Sequence, residues 1–274
     1  MKITGRTRIT GLFGYPVEHT LSPLMHNAAF EHLGLDYCYL PFSVHPGSLK
    51  KAVEAIRALN LAGVNVTIPH KESVIPCLDS VNEEALFIGA VNTIVNQEGT
   101  LIGHNTDGRG FMRSLSENNV SPENKKILIT GAGGASRAIG YYLSQKAYRL
   151  YLFDIDKIKL EKLASDLSKM RDNISVLNDV SELSGFDILI NATPLGLKTT
   201  DPVPFDVSVL SPNQTVCDLI YKNTPLLSQA AQKGCKTIDG LGMLLWQGVF
   251  AFELWTKTSP SVEIMKTALL NGIK

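Results

Sequence analysis

One segment limits the fold of this chain more than any other. Ile127-Leu128-Ile129-Thr130 is a short apolar run, Gly131-Ala132-Gly133-Gly134-Ala135 follows at once, and a helical stretch with Ala138 and Leu143 on its apolar face comes next. A buried strand that turns straight into a helix through glycines opens a βα unit of a parallel sheet. Gly131 permits the tight turn, and Gly133 and Gly134 leave the backbone bare for a diphosphate. The helix start adds unpaired N–H groups and the positive end of its dipole. The spacing is G-x-G-G rather than the full G-x-G-x-x-G, so a ligand-free strand–helix turn is the competing reading. The next apolar run ends at Phe153-Asp154, roughly 20 residues further on, where an acidic side chain accepts from an adenosine ribose diol. A carboxylate there repels the extra phosphate of NADP, and Ile155 cannot pair with it. Arg137, Lys157 and Lys159 are nearby cations that could. By this chemistry Asp154 leans toward NAD; as a plain structural residue it would cap the helix that starts near Ile155.

The same strand–helix rhythm runs through the chain. Strands are expected at Arg8–Phe13, Tyr37–Val44, Ala62–Thr67, Arg149–Phe153, Ile174–Leu177, Asp187–Asn191 and Thr215–Leu219. Helices are expected at Pro23–Leu33, Pro46–Leu59, Leu241–Trp255 and Ser261–Leu270. The polar stretch 117–124, which contains Pro122, reads as a connection between domains. The resulting fold class is α/β with two domains: an N-terminal, mostly parallel α/β domain (1–118 plus 240–274) and a Rossmann-like dinucleotide-binding domain (119–239).

Composition narrows the partners. Lys+Arg and Asp+Glu both number 26, so the zero net charge gives no basis for a nucleic-acid or membrane-surface partner. No apolar core follows Lys2, Arg6 and Arg8, and no apolar run approaches the roughly 20 residues of a membrane helix. Cys38, Cys77, Cys217 and Cys235 form no C-x-x-C pair. They read as buried free thiols in a reducing cytosol, which makes the expected location cytoplasmic. His19, His26, His70 and His104 lack metal-ligand spacing, and no metal is expected.

The chemistry concentrates in the first half, in four polar clusters. These are Gly14–Pro23 with Thr20 and Ser22, Asn65–Lys71 with Thr67, Gly89–Thr93 with Asn92, and Asn105–Asp107. Hydroxyls and amides suit a neutral polyol with one carboxylate, since they both donate and accept, and no arginine cluster for a phosphate accompanies them. Ser22 also fits a helix N-cap ahead of Pro23. Lys71 and Asp107 are the acid–base candidates. Lysine can protonate a ketone oxygen as hydride reaches the carbon, and Asp107 fits better as an orienting partner because a carboxylate favours the lysine cation. Read locally, Lys71 is equally a surface cation at a helix start.

Taken in order, these motifs resemble the shikimate dehydrogenase family over nearly the whole chain. Gly14, Pro16, His19, Ser22, Pro23, His26 and Asn27 resemble its opening substrate loop, and Asn65–Lys71 the segment with its catalytic lysine. Gly89–Thr93, Asn105–Gly108, Gly131–Ala138, Asn191-Ala192-Thr193 and Asp239–Leu244 with Gln247 resemble the remaining motifs. The resemblance implies substrate contacts from Thr20, Ser22, Thr67, Asn92, Asp107, Tyr221 and Gln247, and proton transfer by Lys71. It implies nucleotide contacts from Gly131, Ala132, Gly133, Gly134, Ala135, Asp154, Thr193, Leu219 and Gly240. The implied reaction is reduction of 3-dehydroshikimate to shikimate in aromatic amino-acid biosynthesis, by a monomer or homodimer. Three positions depart from the family pattern. Thr20 stands for the usual serine, the Tyr221–Pro225 loop is shortened, and Asp154-Ile155-Asp156 replaces the Asn-Arg-Thr pattern that holds the NADP phosphate. NADP is the family's usual cofactor, whereas members using NAD, including quinate/shikimate enzymes, carry an acidic residue at that position. An NAD-dependent quinate/shikimate dehydrogenase is therefore one alternative. A nucleotide-sensing protein without turnover is another, which the acid–base pair argues against.

Overall fold

The computed structural model describes residues 2–198 and 200–273. It resolves into two compact units, Met1–Thr106 with Leu245–Lys274, and Asp107–Leu244.

The first unit begins with β1 (Arg8–Gly14), α1 (Ser22–His32), β2 (Tyr37–Ser43), α2 (Leu49–Ala58) and β3 (Gly63–Val66). The short β4 (Ser80–Val81), α3 (Glu83–Ile88), β5 (Thr93–Gln97) and β6 (Thr100–His104) follow. The sheet order is β2-β1-β3-β5-β6-β4. β1 runs parallel to β2 and β3, but β5 is antiparallel to both of its neighbours. The mostly parallel sheet expected from the sequence takes its antiparallel strand here. Only Glu98 and Gly99 join β5 to β6, both with positive φ (52° and 93°), and a two-residue link makes a hairpin where a parallel crossover needs a dozen or more. The reversal brings the start of β5 to the edge where β3 and β6 end, with Thr93 opposite both Asn65 and His104. One face of the sheet is sealed by Phe13, Val64, Val66, Ile94 and Leu101 against Leu49, Val53 and Ile56 of α2. Ser22 is not the helix cap that local sequence allows. Leu21 holds the cap position without a side-chain bond, and Ser22 is the first helical residue, buried.

The second unit starts with α4 (Asp107–Glu117) and continues through β7 (Lys126–Thr130), α5 (Gly134–Lys146), β8 (Arg149–Phe153), α6 (Lys157–Ser168) and β9 (Ile174–Val176). β10 (Ile188–Asn191), β11 (Thr215–Asp218), α7 (Pro225–Gln232) and β12 (Lys236–Ile238) complete its sheet. The strands are all parallel in the order β12-β11-β10-β7-β8-β9. The chain runs outward from β7 in one direction and returns through β10 in the other, so the order reverses between these two strands. Ligands of such sheets bind outside the strand ends at that point. The 117–124 stretch is a turn inside this unit rather than the expected seam. α4 packs on α5, closely enough that a Cβ at Gly108 would overlap the Ala138 carbonyl oxygen, and this draws the division back to Asp107. α8 (Leu241–Thr256) follows, its residues from Leu245 onward belonging to the first unit together with α9 (Val262–Ile273), which packs on α1. Among the described residues no helix is long and apolar enough to cross a membrane. Cys38, Cys217 and Cys235 are buried free thiols, whereas Cys77 is only partly buried.

Candidate active site

In the first unit, backbone bonds between loops fix the polar clusters at one sheet edge. Thr67 N donates to Phe13 O at 2.9 Å and Tyr15 N to Ile68 O at 3.1 Å, which ties the loop after β1 to the loop after β3. Gly14 makes that approach possible, because a Cβ there would overlap the Thr67 methyl. Lys71 is held by its surroundings. Its carbonyl accepts from Val91 N at 2.7 Å, and the buried His70 ring donates from Nε2 to Val44 O at 2.7 Å. His70 is thus an anchor for the lysine segment, a part the sequence does not assign to it. Thr20 Oγ1 accepts from Ser22 N at 3.3 Å, joining the two hydroxyl residues of the first loop.

Behind these loops lies a buried chain of hydroxyls and amides. Tyr39 Oη donates to Asn65 Oδ1 at 2.9 Å, and Asn65 Nδ2 donates to Asn92 O (3.1 Å) and Thr93 Oγ1 (3.0 Å). Thr93 Oγ1 donates to Asn92 Oδ1 at 3.0 Å, and Asn92 Nδ2 donates to Thr106 Oγ1 at 2.9 Å. Thr106 Oγ1 donates to the Gln247 carbonyl at 3.0 Å, and Asn92 Nδ2 lies 3.5 Å from Gln247 Oε1. Asn65, Asn92, Thr93 and Thr106 are all buried. The structure thus gathers Asn92 and Gln247, expected from sequence, with Asn65, Thr93 and Thr106, which lay in the polar clusters without assigned roles. Tyr39 was missed: as one aromatic in an apolar strand it carries no local signal of its hydroxyl's partners. His26 belongs behind this chain rather than in it. Its buried ring stacks on Tyr39 with centroids 4.5 Å apart, neither ring nitrogen has a hydrogen-bond partner, and burial lowers its pKa to about 3.

The second unit contains Asp107, Tyr221 and the candidate nucleotide residues. Asp107 is buried as the first residue of α4, and Tyr221 is partly exposed in the loop after β11. At the strand reversal, Gly131 has φ +105° and a Cβ there would sit 2.9 Å from Ala192 C, so this glycine is needed both for its turn and for the approach of the β10 loop. A Cβ at Gly133 would meet nothing, and no side chain caps the start of α5. In the first turn of that helix the buried Ser136 hydroxyl has no hydrogen-bond partner. Open space, bare helical N–H groups and an orphaned hydroxyl fit the diphosphate of a dinucleotide. Asp154, at the end of β8, is not a helix cap: Asp156 caps α6 through Lys159 N. Asp154 instead accepts from Ala132 N at 2.6 Å and Asp156 N at 2.8 Å, which fastens it to the glycine turn. The cations expected nearby are engaged. Arg137 pairs with Asp166 at 2.8 Å, Lys159 with Asp156 at 3.1 Å, and Lys157 lies over the Phe153 ring.

Thr193 and Leu219 are set by a second buried group. Asp218 accepts from Asn191 Nδ2 (3.1 Å), Ile220 N (3.1 Å) and Thr224 Oγ1 (2.7 Å), while Asn191 Oδ1 accepts from Thr193 N (3.0 Å) and Thr193 Oγ1 (2.7 Å). Burial raises the Asp218 pKa against the pull of these donors. Gly240 N donates to Ile220 O at 3.1 Å, joining the last expected cofactor residue to the same loop.

Comparison with known proteins places the chain among relatives that match it along nearly its whole length. Residues 12–94 match the family model of the shikimate dehydrogenase substrate binding domain, and residues 240–270 that of the shikimate 5'-dehydrogenase C-terminal domain. Shikimate dehydrogenase (NADP(+)) of Desulforamulus reducens is 47% identical over 98% of this chain and 96% of its own length. A shikimate dehydrogenase solved in complex with NADP+ superposes with a TM-score of 0.94 at 39% identity, covering 100% of this chain and 98% of that one. The Listeria monocytogenes shikimate 5-dehydrogenase, solved with shikimate and NAD, gives 0.90 at 38% identity over 97% and 98% of the two chains.

Proposed function

The chain belongs to the shikimate dehydrogenase family, and from that premise we propose that it interconverts 3-dehydroshikimate and shikimate as a nicotinamide-dependent oxidoreductase. The observation that carries this reading is the buried hydroxyl–amide chain from Tyr39 to Gln247. That chain fixes the side chains of Asn92 and Gln247, amides that both donate and accept, as a ring bearing several hydroxyls requires. A bound dinucleotide supplies or takes up the hydride. In the reductive direction Lys71 Nζ gives a proton to the oxygen of the reduced carbonyl, and in the oxidative direction the same amine accepts the alcohol proton. Asp107 orients Lys71 and the substrate hydroxyls. Thr20, Ser22, Thr67, Asn92, Tyr221 and Gln247 bind the substrate. Gly131 to Ala135, Thr193, Leu219 and Gly240 receive the dinucleotide.

NAD is the preferred cofactor in this reading, although the D. reducens relative is named for NADP(+). A carboxylate fastened to the glycine turn suits a ribose diol and opposes a phosphate at the same place, and Arg137 and Lys159 are already paired with carboxylates. The protein acts in the cytoplasm, as a monomer or homodimer. The test is initial-rate oxidation of shikimate and of quinate by the purified protein, with Asp154→Ala alongside. Shikimate turnover that exceeds quinate turnover, and a variant that gains with NADP relative to NAD, support the assignment. Quinate preference moves it to the quinate/shikimate branch, and binding of dinucleotide without turnover of either substrate removes it.

A further inference from the structure

We propose that Tyr39 is a positioning residue for the substrate, its phenol fixing the amides of Asn65 and Asn92 and acting through them on Gln247 of α8. The inference rests on the assignment of a shikimate-type polyol to the first unit. Tyr39 is among the largest fully buried side chains, and its backbone is clamped on the outer edge of β2, where Asn27 accepts from Tyr39 N at 2.8 Å and donates to Tyr39 O at 3.0 Å. The ring is held between elements, stacked on His26 and tilted against Trp255 with centroids 6.0 Å apart. Only the hydroxyl is left to serve the polar side. It donates to Asn65 Oδ1 at 2.9 Å.

The direction of every later bond follows from donor and acceptor counting. The Asn92 carbonyl can only accept, so Asn65 turns Nδ2 toward it and Oδ1 toward the phenol. Thr93 Oγ1 then accepts from Asn65, and its single proton goes to Asn92 Oδ1. That oxygen also accepts from Thr106 N at 2.8 Å, which turns Asn92 Nδ2 toward Thr106 Oγ1, whose proton goes to the Gln247 carbonyl. Asn92 is therefore held in one of its two amide orientations. Removing the phenol oxygen leaves Asn65 Oδ1 buried without its donor, and the chain loses its first member.

The test uses steady-state kinetics of the full chain with wild type, Tyr39→Phe, Thr93→Val and Thr93→Ser. Tyr39→Phe keeps the stacked ring and is expected to raise the KM for shikimate about tenfold, with kcat within about threefold and the dinucleotide KM within about twofold of wild type. Thr93→Val interrupts the same chain one bond later and should reproduce this split, while Thr93→Ser, which keeps the hydroxyl, should restore the wild-type KM. A double variant carrying Tyr39→Phe and Thr93→Val should be no worse than either single one, because both break one chain. An unchanged shikimate KM in Tyr39→Phe, or multiplied effects in the double variant, overturns the proposal. So does a parallel rise of both KM values with a lowered melting temperature, which marks a general packing role. If Tyr39→Phe fails to fold, the contrast between Thr93→Val and Thr93→Ser decides. A wild-type protein inert toward shikimate is a different failure, which removes the substrate assignment and this inference with it.

Discussion

Lys71→Ala is expected to lower shikimate turnover by about 10²–10⁴-fold while dinucleotide affinity, measured by fluorescence titration, stays at the wild-type value. Near-normal turnover would take Lys71 out of proton transfer. His26 makes a prediction about acid stability. Burial lowers its pKa from 6.5 to about 3, so between those values the unfolded chain binds a proton that the folded chain does not. Stability is therefore lost as pH falls below 6.5, by about 1.4 kcal/mol per pH unit from this residue. His26→Phe should flatten that part of the decline in urea midpoints recorded at successive pH values. Identical slopes in both proteins would show that His26 contributes nothing to it. Lys71, Asn92 and Gln247 could be singled out from sequence because they sit in ordered motifs. Tyr39 and Asp218 could not, because a buried phenol or carboxylate is defined by partners distant in sequence: Asn65 for the one, Asn191 for the other.

At the scale of elements, period and glycine placement carried most of the information. β8 was expected at its observed bounds, and β1 and α1 within a residue, since each has a sharp apolar pattern and a clear stop. The β5–β6 hairpin was not anticipated, although the Glu98-Gly99 pair is a hairpin turn, because Asn92 and Thr93 read as the end of a polar loop rather than the start of a strand. The 117–124 stretch misled for a related reason. A polar proline-containing turn looks the same between two domains as within one, and the packing of α4 on α5 that distinguishes them is a tertiary fact. Gly108 is the residue on which that packing turns. Gly108→Ala should destabilise the protein by about 1–3 kcal/mol, read from its urea midpoint, because the added methyl meets the Ala138 carbonyl oxygen as well as the Tyr142 ring, and the backbone oxygen cannot swing aside. A variant as stable as wild type would show that α4 and α5 have room to separate.

At the scale of the whole molecule, two α/β units divide the labour that the sequence motifs foretold. One presents a buried hydroxyl–amide chain behind the loops of a mixed sheet, and the other a glycine turn and a carboxylate at the reversal point of a fully parallel one. Family membership follows from identity along nearly the entire length. Cofactor choice does not, since it depends on whether a few charged groups around Asp154 favour a diol or a phosphate. The most direct measurement is the initial rate of shikimate oxidation, followed by nicotinamide absorbance with NAD and NADP side by side. The account predicts turnover with both shikimate and dinucleotide present, and a higher kcat/KM with NAD. A higher value with NADP would contradict the role given to Asp154, and no turnover with either dinucleotide would contradict the enzyme itself.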